Sequence, residues 1–287
     1  MSNEFGGNWT QEKINVFMKY VPAYLKIMNS QIKNQQYAKE WKLMYFDGFA
    51  GSGEILHESS QTLTEGVATR VLAITEPREF DIYRFVELNK TKVEELKNAI
   101  NAKFSERMHK VVIYQDDFNE ICSKMVSFLR KDKKYKTLAF VDPFGMEVNW
   151  SSIENMKDLS LDMWILVPTG GMNRLLKNNG DIEEAWLSRL QKFLGLSEEE
   201  IKKVFYTEEK VLTLFGERTH IQKQEDAIEK AHSLYKSRLE TVFKYVSGSY
   251  VMRNSNNTIL YHFLLVSNNQ TAVKIANSIV GNSISKL

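Results

Sequence analysis

Cysteine is nearly absent from this chain: Cys122 is the only one in 287 residues. A single thiol forms neither an internal disulfide nor a thiolate metal cluster, so a reducing, cytoplasmic location is the expectation. Cys122 lies among Ile121, Met125 and Val126, where a small buried apolar side chain is a simpler reading than a reactive thiol. Long apolar runs are missing as well. Nothing approaches the roughly 20 apolar residues of a membrane span, and Met1-Ser2-Asn3-Glu4-Phe5 lacks the basic-then-apolar layout of a signal peptide, so no membrane association is expected. Charge of one sign is also scarce. The formal net charge of +2 announces no nucleic-acid partner, although it leaves room for a local basic patch such as Lys131, Lys133, Lys134 and Lys136. Histidine is sparse: His57, His109, His220, His232 and His262 have no carboxylate or cysteine partner at ligand spacing, and no metal is expected. With 43% hydrophobic and 26% charged residues, what remains has the composition of an ordinary globular protein, long enough for one large core or two modest ones.

The most informative stretch is Met44-Tyr45-Phe46-Asp47-Gly48-Phe49-Ala50-Gly51-Ser52-Gly53. An apolar strand runs into an acid and then a glycine-rich turn, whose glycines permit positive φ and close approach of a ligand. Nicotinamide and flavin folds usually show Gly-x-Gly-x-x-Gly with the acid one strand later. The spacing Asp-x-Phe-x-Gly-x-Gly, with the acid ending the first strand, suits a ligand with a cationic amine, as in S-adenosylmethionine. The competing reading is an ordinary tight turn.

Around this stretch the chain repeats a strand, acid, helix pattern. A first helix from Thr10 to about Gln31 carries Ile14, Phe17, Met18, Val21, Leu25 and Met28 at helical spacing, with a bend expected at Pro22. The strand Leu43 to Phe46 follows, then the glycine turn, an irregular loop over Ile55 to Thr64, and a helix opened by Gly66. Phe80 to Glu87 reads as a second strand ending on an acid. Glu87 is placed either to accept from both hydroxyls of a ribose or to serve as a solvated turn residue. In the third unit, Lys110 to Tyr114 leads to Asp116 and Asp117. Asp117 either accepts from an adenine amino group, with Phe118 as an apolar wall, or simply caps the next helix.

The fourth unit, Leu138-Ala139-Phe140-Val141-Asp142-Pro143-Phe144-Gly145, places an acid, a proline and an aromatic at the carboxyl end of a buried strand, where open α/β sheets bind ligands. It resembles the Asp/Asn-Pro-Pro-aromatic motif of amino-methyltransferases. That resemblance implies that Asp142 and the Pro143 carbonyl accept hydrogen bonds from a target amine and that Phe144 lies against the substrate. Phe144 stands where the motif has its second proline, and Gly145 where it has its aromatic. The plainer reading is a turn after a core strand.

Further on, Asp162 to Val167 reads as a fifth strand broken by Pro168-Thr169-Gly170-Gly171. Asn173 and Arg174 follow at strand-tip level as candidate substrate contacts, Arg174 for a phosphate or carboxylate. From about Asn178 to Leu239 the chain reads as charge-rich helix, including a capping box of Ser197 and Glu200. Tyr250 to Arg253 and Thr258 to Val266 read as a hairpin, followed by a helix from Thr271 to Val280. An antiparallel hairpin closing a mostly parallel sheet is how methyltransferase sheets end, whereas nicotinamide sheets usually finish in parallel.

Together these features resemble the class I S-adenosylmethionine-dependent methyltransferases, and the resemblance implies an α/β, Rossmann-like sheet of expected order 3-2-1-4-5-7-6, its last strand antiparallel. The expected organisation is an N-terminal helical segment (1–40), a core (41–177 and 240–287) and a helical insertion (178–239). More narrowly, the chain resembles the bacterial three-Cys-motif partner protein family. The stretches that carry the likeness are Tyr20-Val21-Pro22-Ala23-Tyr24-Leu25, Tyr45 to Gly53, Phe140 to Gly145, Pro168 through Arg174, and Tyr261-His262-Phe263-Leu264-Leu265-Val266. The resemblance implies a methyltransferase fold and association with a cysteine-motif, radical-enzyme-like partner, and it implies no substrate. With one cysteine, this chain would be the partner and not the bearer of that motif. The expected cofactor is S-adenosylmethionine, with Asp47 facing its ammonium, the loop Gly48, Phe49, Gly51 and Gly53 cradling its methionine part, Glu87 holding the ribose, and Asp117 and Phe118 framing the adenine. The expected activity is methyl transfer to an amino group. The alternative is a non-catalytic cofactor-binding subunit of a radical-type enzyme.

Overall fold

The computed structural model describes residues 8–57, 62–213 and 216–284. Its centre is an eight-stranded sheet. In chain order the strands are β1 (Lys42–Asp47), β4 (Ile82–Val86), β5 (Val111–Tyr114), β6 (Tyr135–Val141), β7 (Leu161–Val167), β10 (Tyr245–Val246), β11 (Tyr250–Arg253) and β12 (Ile259–Ser267). Across the sheet they run β5-β4-β1-β6-β7-β12, with β10 and β11 both on the far side of β12. The first five strands pair in parallel, and β12 is antiparallel to its neighbours on both sides. Counting β10 and β11 as one broken edge strand, the order is 3-2-1-4-5-7-6, that of the Rossmann-like methyltransferase fold.

Burial on both faces explains the near-continuous apolar runs of these strands. Along β1, Met44 and Phe46 enter one core while Leu43 and Tyr45 enter the other. On β7, Met163, Ile165 and Val167 alternate in the same way with Trp164 and Leu166. Helices α1 (Asn8–Asn34), α2 (Val67–Leu72), α3 (Lys90–Phe104) and α10 (Gln270–Ile284) cover one face. The other is covered by α4 (Phe118–Lys131), α5 (Trp150–Glu154), α6 (Thr169–Leu175), α7 (Glu184–Leu194), α8 (Glu198–Phe205) and α9 (Ala227–Val242).

Helix α1 runs on through Pro22, which is exposed. Its inner face reaches the sheet through rings: Phe17 lies 4.6 Å from Phe140 and Tyr20 5.6 Å from Trp164. At the amino end of β7, the buried carboxylate of Asp162 accepts from Tyr20 Oη at 2.8 Å and from Ser267 Oγ at 2.5 Å, tying α1, β7 and β12 together. Burial pushes Asp162 up to about 6.

Two expectations are corrected. The segment 178–239 is not helical throughout. An antiparallel hairpin, β8 (Tyr206–Thr213) with β9 (Gly216–Lys223), stands between α8 and α9; its β-branched residues, Thr207, Val211, Thr213, Thr219 and Ile221, favour strand over helix. Helices α7 to α9 share the core of the sheet through Leu190, Phe193, Ile201, Phe205 and Tyr235. Ser197 and Glu200 do form the expected capping box. The stretch Ile55 to Thr64 is no irregular loop where it is described: β2 (Glu54–His57) pairs with β3 (Thr62–Glu65) in register, Ile55 opposite Thr64. Residues 58–61 lie outside the described residues.

The hinge between sheet and α6 leaves no room at Gly170, where an added Cβ would stand 2.4 Å from the carbonyl oxygen of Ile259 and 3.0 Å from Leu260 Cα. Backbone cannot give way as a side-chain tip can. Gly170→Ala is therefore expected to destabilise the fold by roughly 1–3 kcal/mol, lowering the melting temperature by about 2–4 °C per kcal/mol. Thermal denaturation by circular dichroism checks this.

Candidate functional site

Because β1, β4 and β6 are adjacent and parallel, their carboxyl ends deliver three acids to one crevice. Asp47 ends β1 and is 1% exposed. Its Oδ1 accepts from the Phe49 N–H at 3.2 Å and its Oδ2 from Tyr45 Oη at 3.2 Å. Burial pushes its carboxyl up to about 7, with the charges of Asp142 and Glu87 adding to the rise and the two hydrogen bonds opposing it. A carboxylate desolvated among like charges favours whatever relieves its charge, a proton or a nearby cation. Glu87, just past β4, is also buried; it accepts from the Gly51 N–H at 3.1 Å and the Asn89 N–H at 2.8 Å. The glycine loop is further pinned by Gly48 N–H to the Phe140 carbonyl at 2.9 Å and Ala50 N–H to the Val86 carbonyl at 2.8 Å.

The glycines divide into two kinds. Gly51 adopts φ +64° with nothing within 4 Å of a notional Cβ, so it needs freedom of backbone and faces open space. Gly48 and Gly53 have packing reasons to be small: a Cβ at Gly48 would meet the Phe118 ring at 2.7 Å, and one at Gly53, φ +79°, would meet Leu96 at 2.7 Å.

Asp142, beyond β6, forms an ion pair with Lys13 of α1 at 2.5 Å, with side-chain exposures of 18% and 8%. Its charge reaches Tyr45, Asp47 and Tyr261. Tyr261 on β12, mostly buried, is raised by desolvation first and then by Asp142, while Arg174 opposes the rise. Arg174, exposed on the last turn of α6, therefore belongs to the same neighbourhood. Asn173 beside it is half-buried, and its backbone carbonyl accepts from Lys223 Nζ at 3.3 Å. Pro143 is buried. Phe144 is 62% exposed, and the Lys92 ammonium sits 4.6 Å from its ring centre, so the loop after β6 reaches across β1 toward the start of α3.

The tip of β5 contributes less. Asp117 caps α4 by accepting from the Asn119 N–H at 2.8 Å. Phe118 is 2% exposed and stacks on Phe49 at 5.1 Å, supporting the glycine loop from below. Of the lysines near residue 130, Lys134 pairs with Asp132, and Lys136 lies over Trp41 and donates to Ser160.

Sequence reasoning missed Lys13, Tyr45, Lys92 and Tyr261. Lys13 carried a readable signal: four residues before Phe17, it sits on the apolar side of α1, where an unpartnered ammonium would not be tolerated. Two of the histidines, His232 and His262, take structural places. His262 is buried, with Nδ1 at 2.9 Å from Thr169 Oγ1, and stacks at 4.0 Å on His232. Desolvation, aided by His232 and Arg253, pushes it down to about 3. Among the described residues no cluster of His, Cys, Asp or Glu could hold a metal ion, and no helix is long and apolar enough to cross a membrane.

Geometry and topology together define a Rossmann-like methyltransferase fold with an acidic crevice at its strand tips. No protein-family model matches the chain. No curated protein matches it either. Solved structures do. Protein LPL1258 from Legionella pneumophila aligns at TM-score 0.43 and 15% identity, over 92% of this chain and 99% of that one. Spermidine synthase in complex with the transition-state analogue AdoDATO aligns at 0.40 and 12%, over 92% and 62%. An S-adenosylmethionine-dependent methyltransferase from Clostridium acetobutylicum aligns at 0.33 and 13%, over 85% and 97%. Likenesses this distant assign no activity and no ligand.

The charge state of Asp47 gives a direct test of the crevice. Its carboxyl titrates higher in the folded chain than in the unfolded one, so between about pH 4 and 7 the folded state binds more protons and loses stability as pH rises. Asp47→Asn removes that loss. Its stability advantage over the wild type is expected to be small at pH 4, to grow toward pH 7, and to level off above, reaching on the order of 2–4 kcal/mol. Urea unfolding across that pH range measures it.

Proposed function

We propose that the chain is an S-adenosylmethionine-dependent methyltransferase acting on an amino group. The observation that carries this reading is the convergence of Asp47, Glu87 and Asp142 on a glycine loop, with Asp47 desolvated and short of positive charge. The residues fit the cofactor. A buried acid suits its ammonium, Glu87 has lone pairs left for ribose hydroxyls after accepting two N–H groups, and Gly51 leaves room for close approach. When bound, S-adenosylmethionine supplies a methyl group on a sulfonium centre. The chain's own part is to bind, orient and handle charge. Asp47 and the loop Gly48, Phe49, Gly51 and Gly53 hold the methionine part, Glu87 the ribose and Asp117 the adenine end, while Phe118, expected from the sequence to wall the adenine, is buried under the loop and supports it instead.

Asp142 and the Pro143 carbonyl accept hydrogen bonds from the incoming amine and aim its lone pair. Lys13 holds the Asp142 carboxylate in place until the amine shares it. Phe144, on the rim with Lys92, lies against the substrate, and Arg174 and Asn173 bind its polar periphery. Placement and electrostatics are the appropriate devices, since an aromatic amine is a weak nucleophile. The acceptor is a nucleic-acid base or another amine, and a three-Cys-motif protein is the working partner.

A second reading keeps cofactor binding and drops transfer: a binding or regulatory subunit of the cysteine-motif partner. The observation in its favour is that Asp142 is already engaged by Lys13, while Gly145 offers no ring where the amino-methyltransferase motif has one. Incorporation of labelled methyl into nucleic acid or protein, with and without the partner, separates the two.

Calorimetry with S-adenosylmethionine, S-adenosylhomocysteine and NAD is the primary test: saturable binding of the first two and none of NAD is expected. Gly51→Arg abolishes binding. Asp142→Ala leaves it within about threefold and lowers transfer on the order of 100-fold or more. Equal loss of binding in both variants overturns this division of labour.

Affinity for the cationic cofactor also depends on ionised Asp47. It is expected to fall about tenfold per pH unit as pH drops below about 7. At pH 6 binding releases a proton, visible as a binding enthalpy that changes with buffer.

A further inference from the structure

Away from the strand tips, on the α4 side of the sheet, β4 and β5 are only half roofed. Helix α4 turns its apolar face, Ile121, Cys122, Met125, Val126 and Leu129, toward the core. Toward the β5 edge the cover thins, and Val112 and Phe128 are left 38% and 39% exposed. Beneath this eave lies a cavity of about 140 Å³ between the helix and the sheet. Its floor and walls are apolar: Met44 and Phe46 of β1, Tyr114 of β5, and Ile121, Met125 and Phe128 of α4. Phe46 also packs on Phe118, 6.3 Å between ring centres, so this ring pair separates the cavity from the glycine loop above.

Into this apolar lining the sheet projects one cation. Arg84 lies mid-strand on β4, in register with Phe46 on one side and Val112 on the other, and lines the cavity half-buried. Its guanidinium makes one hydrogen bond, to the carbonyl of Tyr83 at 3.1 Å. No carboxylate pairs with it among the described residues. The second cation at the mouth, Lys124, is already neutralised by Asp116 at 3.1 Å. Most of the guanidinium's N–H groups are unspent and none is sealed from solvent, so beside an apolar wall they stand open to a carboxylate that enters with an apolar body. The space is about that of a cavity known to accept benzene.

We propose that this cavity is a binding site for a small aromatic carboxylate, its ring between Met44, Phe46 and Met125 and its carboxylate on Arg84. The ring fills the apolar volume, and the two carboxylate oxygens take parallel N–H bonds from the guanidinium. The site lies on a different face from the acidic crevice and stands or falls independently of the methyltransferase reading.

The test uses the full chain, labelled with ¹³C in its methionine methyl groups, and benzoate as the probe. Two of the lining residues, Met44 and Met125, are then reporters within the site, while Met163 and Met156, buried elsewhere in the same core, serve as controls. Titration with benzoate is expected to shift the Met44 and Met125 signals saturably at roughly millimolar concentration, leaving the controls in place. Toluene, which keeps the ring and lacks the charge, is expected to bind at least tenfold more weakly. Arg84→Leu is expected to weaken benzoate binding at least tenfold and to erase its preference over toluene, with Arg84→Lys intermediate. Absence of saturable shifts, shifts confined to the control methionines, or equal binding of benzoate and toluene by the wild type overturns the proposal. The last comparison needs no variant, so it holds even if Arg84→Leu does not fold.

Discussion

Desolvation of one carboxylate, Asp47, with two further acids beside it, is the constraint on which the strand-tip end of this molecule depends. Parallel pairing of β1 with β4 and β6 forces Asp47, Glu87 and Asp142 to end at one level, and burial of Asp47 magnifies the cost of their proximity. The chain offsets that cost piecemeal. Backbone N–H groups of the glycine loop and of the turn into α3 serve Asp47 and Glu87. Lys13 is brought in from a helix outside the sheet to serve Asp142. Among the described residues Asp47 is left with two neutral donors and no cation of its own. Stability withheld at this one position is what the ammonium of the proposed cofactor would restore.

The order of the sheet was legible in the sequence because each strand that builds it is buried on both faces and ends in a polar residue. An apolar run that stops on an acid can be read without knowing what it packs against. The acids of the crevice were legible for the same reason. Hairpins β2–β3 and β8–β9 were less so. Each pairs only with itself, outside the main sheet, so no run of core residues announces it, and the charge-rich stretch around Glu208 and Lys210 reads equally as helix surface. The glycine loop was legible as a loop, but its parts were not. Packing alone distinguishes Gly51, open above, from Gly48 and Gly53, kept small by Phe118 and Leu96.

Residues that act across elements were the least visible. Lys13 and Asp142 are far apart in the chain, and nothing near either names the other. Tyr261 sits in a strand that reads as plain hairpin, yet it shares the field of Asp142 and Arg174. Arg84 looks like the ordinary polar position of an alternating strand, and only the half-covered sheet makes it stand out. In each case the information lies in the packing of one layer on another, which local pattern does not encode.

The attachment of α1 has a bearing on how this protein can change. The helix is fastened to the sheet at Tyr20, whose hydroxyl shares Asp162 with Ser267 at the end remote from the crevice, while Lys13 touches the crevice two turns earlier. Anchorage and the ion pair with Asp142 are thus divided between two turns of one helix. A lineage could exchange the ammonium at position 13 for another group, and with it the preference of the crevice, while the helix stays moored.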